Sequence, residues 1–425
     1  EDEIPFEVPE GWAWCRLKHV CTMAAGKAKP TDQIMTEPFE GCYPCFGGNG
    51  IRGYVDEYNQ DGIFSIVGRQ GALCGNINIA KGKFYATEHA VVTTLFSGID
   101  FNWSNYVLEA LQLNSYATGA AQPGLSVANV LNVFVPVPPT QEQVHIGIRI
   151  AESIKIIENI EDEKENLQTL ISSAKSKILD LAIRGKLVSQ NPNDEPASVL
   201  LERIRAEKEE LIKQGKIKRD KKESIIFKGE DNSYYLKTGD ITEPLEDWEL
   251  DGLPDSWSFC CLGEICDYGN CINVATVDID DSAWILDLED IEKDTGIVLQ
   301  KVRKAKRNSI STKHLFHKGQ VLYSKLRPYL NKVVLADEDG YCTSEILPLD
   351  FQENIIPQYA RYYLMSPTFL QYTNKCSYGV KMPRLGTVDG KKTIITLPPL
   401  AEQKRIVKAI ETIFAQLDEI SNAIA

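Results

Sequence analysis

Apolar residues along this chain keep two different rhythms, and the change between them falls at Gln141. Before it, from about Pro9 to Pro139, short β-branched and aromatic runs are split by Gly, Asn and Pro, as in Gly62-Ile63-Phe64-Ser65-Ile66-Val67 and His89-Ala90-Val91-Val92-Thr93-Thr94-Leu95-Phe96. Runs of this length and composition predict strands joined by tight turns. A helical interlude is expected near Asn105 to Tyr116 and its counterpart near Ile356 to Met365. After Gln141, Ile146, Ile150, Ile157, Ile160, Leu167, Ile171, Ala174, Ile178 and Leu181 fall on alternating four- and three-residue steps, with Ser153 and Lys164 as the two defects. A seam on that spacing over about five heptads predicts one long helix packed lengthwise on another.

The same text then returns. Val8-Pro9-Glu10-Gly11-Trp12-Ala13-Trp14-Cys15-Arg16-Leu17 is matched by Leu253-Pro254-Asp255-Ser256-Trp257-Ser258-Phe259-Cys260-Cys261-Leu262, an offset of 257 − 12 = 245. Pro138-Pro139-Thr140-Gln141-Glu142-Gln143 is matched by Pro398-Pro399-Leu400-Ala401-Glu402-Gln403, an offset of 398 − 138 = 260. The seam returns as Ile406, Ile410, Ile413, Leu417, Ile420 and Ile424, four of which fall on Ile146, Ile150, Ile157 and Ile160 at that offset. A repeat this long is a whole domain followed by a helix. Two helices in one register pair most simply with each other, and a twofold axis crossing them makes the pair antiparallel.

The expected fold is therefore mixed α/β: two tandem pseudo-symmetric domains separated by a pair of long antiparallel coiled-coil helices. The expected boundaries are 1–139 for the first domain, 140–185 for the first long helix, 186–245 for a charged linker with its own helix, 246–399 for the second domain and 400–425 for the second long helix. At the offset of 260, residue 425 falls on residue 165, so the second helix is expected to be truncated. Glu1 falls on Glu246, so any segment ahead of the first domain is expected to be missing.

Composition narrows the class. A chain of 425 residues with 43% hydrophobic and 25% charged residues is an ordinary globular one. No apolar run approaches the roughly 20 residues that span a bilayer, and no signal-peptide pattern opens the chain, so neither membrane nor secretion is expected. Eleven cysteines, an odd number without a secretory signal, read as reduced thiols of a cytoplasmic protein. Cys42-Tyr43-Pro44-Cys45 has no second pair at zinc spacing, so no metal is expected there.

The net charge of −14 speaks against a nucleic-acid partner, but its distribution speaks for one. No acidic residue occurs from Thr295 to Ala336, where Lys301, Arg303, Lys304, Lys306, Arg307, Lys313, Lys318, Lys325, Arg327 and Lys332 gather. A shorter acid-free stretch, Gly62 to Thr87, holds Arg69, Lys81 and Lys83. A basic patch on an acidic protein holds DNA while the remaining surface faces other proteins.

Signals of catalysis fail one by one. Gly48-Asn49-Gly50-Ile51-Arg52-Gly53 spells GxGxxG but runs on into strand-like Tyr54-Val55, so it reads as a glycine turn and not a pyrophosphate cradle. No GxxxxGK[ST] loop occurs, nor the Asn-Pro-Pro-aromatic or Asp-Pro-Pro-Tyr tetrad of base-amino methyltransferases. Asp162-Glu163-Lys164 and Asp220-Lys221-Lys222 have the Asp-x-Lys spacing of nucleases but sit in a charged helix and a linker. The chain is not expected to be an enzyme.

With its boxes in this order, the chain resembles the specificity (S) subunit of type I restriction-modification systems. The central text Ala182-Ile183-Arg184-Gly185-Lys186-Leu187-Val188, then Asn191-Pro192-Asn193-Asp194-Glu195-Pro196-Ala197 and Leu200-Leu201-Glu202-Arg203-Ile204-Arg205, matches that family's central conserved region, and the resemblance covers nearly the whole chain. It implies that each target-recognition domain reads one half of a split sequence in double-stranded DNA. The helices would serve as a ruler between the halves and as the dock for methyltransferase subunits, two of them, with restriction subunits joining in host defence. S-adenosylmethionine, ATP and Mg would belong to those partners, with no cofactor in this chain. The competing expectation is a scaffold whose repeated domains bind proteins, DNA contact being incidental.

The residues expected at the DNA lie in strand-flanking loops: Asn49, Arg52, Arg69 and Gln122 in the first domain, and Arg303, Lys304, Lys306, Arg307, Lys325, Arg327, Tyr329, Lys381 and Arg384 in the second. Two loops are themselves duplicated. Lys325-Leu326-Arg327-Pro328-Tyr329 is aligned with Gly68-Arg69-Gln70-Gly71 by placing Arg327 on Arg69 (327 − 69 = 258), and Gly379-Val380-Lys381-Met382-Pro383-Arg384 with Gly119-Ala120-Ala121-Gln122-Pro123-Gly124. Arginine there clamps a phosphate or reads a guanine with its fork. Helix packing is assigned to Ile146, Ile150, Ile157, Ile160, Leu167, Ile171, Ile178, Ile406, Ile410, Ile413, Leu417 and Ile420.

Overall fold

One antiparallel strand pair closes each repeated domain at its base. Ala13–Arg16 lies against Phe134–Val137 with Cys15 opposite Val135, and Ser258–Cys261 lies against Ile394–Leu397 with Cys260 opposite Ile395. These strands follow the duplicated Trp12 and Trp257 and precede the duplicated proline pairs, which is why both boxes survive in both copies. The structure is a computed structural model that describes residues 6–71, 73–118, 123–217, 223–231, 233–245, 252–307, 310–351 and 355–424. Its chain divides into two compact units, Glu1–Glu163 and Lys164–Ala425.

The first unit is built on a six-stranded sheet in the order Cys21–Ala25, Ala90–Leu95, Gln60–Gly68, Ile77–Ala86, Tyr43–Gly47, Gly50–Val55. The helix Phe101–Ala110 supplies Trp103 and Leu108 to a core with Leu17, Val67, Val91 and Val135. Asp100 caps that helix by accepting from the Trp103 amide at 2.9 Å, so it starts earlier than its apolar spacing predicts; the rest of the expected interlude is the 3-10 turn Leu113–Tyr116. Alternate residues of the same strands, Ile66, Phe84 and Val92 among them, fill a second core.

The second unit holds a five-stranded sheet (Asn273–Val274, Lys313–Phe316, Gly340–Thr343, Trp284–Leu286, Val302–Arg303) and a three-stranded one (Val333–Leu335, Val321–Ser324, Ile346–Leu349). The helix Pro357–Leu364 packs Tyr359 and Tyr363 into the largest core of the chain, and Pro367–Cys376 adds Phe369.

Residues 186–245 do more than link. The helix Ala197–Lys213 sinks Ala197, Leu200, Leu201 and Ile204 into the second unit's core beside Trp257 and Leu262. Arg205 at its middle donates to the Glu264 carboxylate (2.7 Å) and to the Ile226 carbonyl (3.1 Å). Ser224–Lys228, Tyr234–Thr238 and Ile241–Pro244 then form an antiparallel meander whose Ile226, Tyr234 and Leu236 pack against Phe259 and Cys261. Most of the basic run 216–222 lies outside the described residues.

The long helices are Thr140–Ile183 and Leu400–Ala423. Each is hooked to its own domain by the glutamine of the duplicated box. Gln143 accepts from the Asp100 amide (2.8 Å) and donates to the Pro138 carbonyl (2.9 Å); Gln403 accepts from the Ile356 amide (2.9 Å) and donates to the Pro398 carbonyl (3.1 Å). Within the second unit the two helices run in opposite directions: the Ile183 carbonyl accepts from Thr396 just before Leu400–Ala423 begins, while Lys175 reaches Asp418 and stands over the Phe414 ring.

Ile171 is buried and Ile178 half-buried, Ile406 and Ile410 are fully buried, and Ile413, Leu417 and Leu167 are half-buried. Ile146 packs against the first domain's core and Ile150 is half-buried, whereas Ile157, Ile160 and Ile420 are exposed at 54%, 59% and 47%. Heptad spacing puts these residues on one stripe but does not say how far a covering element extends.

Candidate nucleic-acid interface

In each unit a strand of a sheet runs out into a loop that a second loop crosses. In the first unit Gln60–Gly68 leads into Arg69-Gln70-Gly71. The Arg69 amide donates to the His89 carbonyl (2.9 Å), Gly71 to Pro123 (3.0 Å) and Leu125 to Arg69 (2.9 Å), while Thr118 and Gly124 exchange a reciprocal pair (2.9 and 3.0 Å). In the second unit Val321–Ser324 leads into Lys325-Leu326-Arg327. Lys325 donates to Glu345 (3.0 Å), Arg327 to Pro383 (2.7 Å) and Leu385 to Lys325 (3.0 Å), while Tyr378 and Arg384 exchange a pair (3.0 and 2.9 Å).

These five main-chain bonds correspond one for one, and they correct the alignment of the loops. Lys325 stands where Arg69 stands (325 − 69 = 256, and likewise 345 − 89 = 256), so Arg327 is the counterpart of Gly71 and not of Arg69. Matching arginine to arginine misplaces the register by two residues because peptide groups, not side-chain types, set it. Both positions have positive φ, +94° at Gly71 and +48° at Arg327.

The first unit gathers its candidates around an open cleft of about 440 Å³ lined by Gly48, Asn49, Arg52, Gln70, Gly71 and His89 among others. The GxGxxG segment is the Gly48-Asn49 hairpin turn after Tyr43–Gly47 together with the start of the strand Gly50–Val55, in keeping with its strand-like continuation. Asn49 accepts from Asn76 (2.9 Å) and Arg52 donates to the Thr31 hydroxyl (2.8 Å). Arg69, half-buried, lies next to the cleft, and Gln122 lies outside the described residues. The hairpin approaches the crossing loops backbone to backbone: a Cβ added at Gly68 falls 2.1 Å from the Gly48 carbonyl oxygen. Gly68→Ala is therefore expected to destabilise the protein by about 2 kcal/mol through overpacking. Calorimetry would show this as an earlier unfolding transition, and an unmoved transition would deny the contact.

In the second unit the acid-free stretch folds back onto acids on either side of it. Lys301 pairs with Asp337 (2.7 Å), Arg303 with Glu338 (3.0 Å) and Lys304 with Asp281 (2.9 Å). Arg307 meets Asp287 (3.1 Å), Glu289 (2.9 Å) and Asp290. Burial works against the Arg307 charge, but Asp290 and its neighbours more than offset this and leave its pKa above the ordinary arginine value. Lys313, nearly inaccessible, pairs with Asp287, and burial holds the Lys332 ammonium below the usual lysine value as it donates to the Leu288 carbonyl. Arg384 grips both oxygens of Glu345 at 2.9 to 3.2 Å.

Among the described residues, Lys306, Lys325, Arg327 and Lys381 make no side-chain hydrogen bond or ion pair. Three of these four stand on the crossing loops, with Tyr329 (47% exposed) and Tyr378 (62% exposed) beside them. Cations and exposed aromatic rings on one pair of loops suit contact with phosphates and base edges. Tyr378 and Glu345 escape notice in the sequence, since their significance comes only from the partner each meets in the fold. No cluster of three or more His, Cys, Asp or Glu among the described residues is placed to hold a metal ion.

Known proteins share this architecture. Residues 9–169 and 254–425 match the family described as "Type I restriction modification DNA specificity domain". The chain is 46% identical over 132 residues to the type I restriction enzyme EcoprrI specificity subunit of Escherichia coli, a match covering 31% of this chain and 33% of that protein. It is 21% identical to the EcoDI specificity subunit of Escherichia coli, covering 99% of this chain and 86% of that one. The HsdS subunit of Thermoanaerobacter tengcongensis superposes with a TM-score of 0.50 at 15% identity, over 100% of this chain and 94% of the other. A chain from a structure of type I restriction-modification complex assembly and conformational transition superposes with a TM-score of 0.56 at 16% identity, over 99% and 94%.

Proposed function

We propose, since the chain belongs to the type I restriction modification DNA specificity family, that its two repeats each read one half of a divided target in double-stranded DNA. The chain is a recognition subunit and not an enzyme; bond making and breaking fall to partners. Those partners are methyltransferase subunits, two per chain, carried on the long helices, and restriction subunits that join them. S-adenosylmethionine, ATP and Mg are bound by the partners, and the assembly works in the cytoplasm.

The observation that carries the reading is the pair of crossing loops. Two domains share the same five main-chain bonds and differ in the side chains those bonds display. A common frame with different exposed groups is what two readers of two different half-sites require. The long helices carry those partners, and Gln143 and Gln403 tie each helix start to the domain it follows.

The test uses the complex with the methyltransferase subunit, on DNA bearing the target mapped from methylated adenines in a genome carrying the complete system. Replacing Lys325, Arg327 and Lys381 together with Ala should weaken binding by roughly 30- to 100-fold and lower the slope of log affinity against log salt by about 2 to 3, because each cation lost from a phosphate removes nearly one released counterion. Replacing Lys301, Arg303 and Lys304, which are engaged with acids, should leave that slope within one of the parent. Equal affinity and slope in all three proteins would overturn the placement of the DNA on these loops.

A further inference from the structure

Position 327 departs from the shared frame. Its counterpart, Gly71, takes a positive φ at no steric cost, whereas Arg327 is held at φ 48°, ψ 60°, where an L side chain is strained. That strain is imposed from both sides. The Arg327 amide is drawn onto the Pro383 carbonyl, its own carbonyl accepts from the Leu330 amide, and the neighbouring Leu326 is buried. The other arginine of the crossing, Arg384, also stands where the first copy has a glycine, Gly124. Arg384 is occupied by Glu345, while the exposed Arg327 guanidinium has no partner among the described residues. A plain surface cation has no need of a strained backbone, since with glycine or asparagine at this position a lysine or arginine at a neighbouring one would present the charge with less strain.

We infer that Arg327 is the specificity-determining residue of the second domain, held out by the crossing loops to read a guanine in the half-site that domain contacts. The inference rests on the DNA-recognition reading above and adds to it a named side chain and a named base. The guanidinium fork donates to O6 and N7 of guanine in the major groove, an arrangement that requires the fork to be aimed and not merely charged. The main-chain bonds from Arg327 to Pro383 and from Leu330 to Arg327 hold the backbone there and so fix the direction in which the Cα–Cβ bond leaves the loop. Lys325 and Lys381, on either side of the crossing, are left to the phosphates.

Two substitutions separate the possibilities. Arg327→Gly restores the residue of the first copy and relieves the strain, so the variant should unfold about 2 °C higher than the parent. Arg327→Lys keeps the charge and loses the fork. Both are introduced into the complete system in cells, and the modified sites are mapped across the genome. The expected result is that each variant relaxes the target at one position of one half, from guanine to mixed bases, with discrimination there falling roughly tenfold or more. The other half stays unchanged.

A target unaltered in both variants, or restored in Arg327→Lys, would overturn the inference while leaving DNA recognition intact. A parent system that modifies no divided target would overturn the DNA-recognition reading itself. An Arg327→Gly protein that unfolds earlier than the parent would show position 327 to be structural and would also overturn the inference.

Discussion

Arg205→Ala should destabilise the second unit by about 3 kcal/mol at neutral pH, a fall in melting temperature of roughly 6 to 10 °C for a unit of this size. The Glu264 side chain is 3% exposed and receives Arg205 at 2.7 Å together with the Cys261 amide at 2.9 Å. Burial raises the Glu264 pKa and Arg205 pulls it back down. Without the arginine the carboxylate is left in the core with only amide donors, and its pKa climbs further.

The direction of the pH dependence follows. A carboxyl whose folded-state pKa lies above its unfolded value favours folding only while protonated, and that contribution is lost as pH rises through the folded pKa. The deficit of Arg205→Ala should therefore be full at about pH 7.5 and shrink on acidification toward about pH 4.5, as the carboxyl takes up a proton. Thermal unfolding of parent and variant across that window checks it. A deficit independent of pH would mean that Glu264 is not the charge left behind. The outcome also decides whether the segment between the repeats is a structural part of the second unit, since Arg205 belongs to the helix Ala197–Lys213.

Gln143→Leu and Gln403→Leu should each cost about 2 kcal/mol, because each leaves a main-chain amide and a proline carbonyl without the partner they had. Both glutamines are buried, at 1% and 0% exposure. They share no partner, so the double variant should lose about 4 kcal/mol, and additive losses in denaturant melts are the expected outcome. Gln403→Glu is the sharper probe: it keeps an acceptor for the Ile356 amide but removes the donor to Pro398. As a carboxylate at a buried position facing that carbonyl, it should cost more than Gln403→Leu at neutral pH and lose that excess on acidification, when the protonated carboxyl can donate to Pro398; a loss independent of pH would deny the bond to Pro398.

The duplicated boxes were legible in the sequence because they perform local work that repeats. Trp12 and Trp257 precede the strands that close each domain, and Gln143 and Gln403 hook each helix, so both copies keep the same residues. The electrostatics were less legible. The acid-free stretch from Thr295 to Ala336 looks wholly basic, yet Asp281, Asp287, Glu289 and Asp290 lie just before it and Asp337 and Glu338 just after it, and folding brings both groups onto it. Local charge counting cannot register pairing that spans a sheet.

The meander at 224–244 hides for a related reason: its strands carry short apolar runs, Ile225-Ile226-Phe227 and Tyr234-Tyr235-Leu236, set among charges that read as linker. Loop register failed where side-chain likeness was the guide, at Arg69 and Arg327, since the chain is aligned there by its peptide groups.

That last point bears on how such a molecule changes over generations. Away from the positive-φ position held by Gly71 and Arg327, a crossing stitched by amides and carbonyls places few demands on side-chain identity. One copy carries Gly119-Ala120-Ala121-Gln122 and the other Gly379-Val380-Lys381-Met382 ahead of the same proline, and both proline carbonyls accept the same amide. Mutation can rewrite the displayed residues without disturbing the knot beneath them, so new preferences arise with little risk to folding. The frame acts as a typeface block whose letters are exchangeable, and a lineage can alter what it recognises one character at a time.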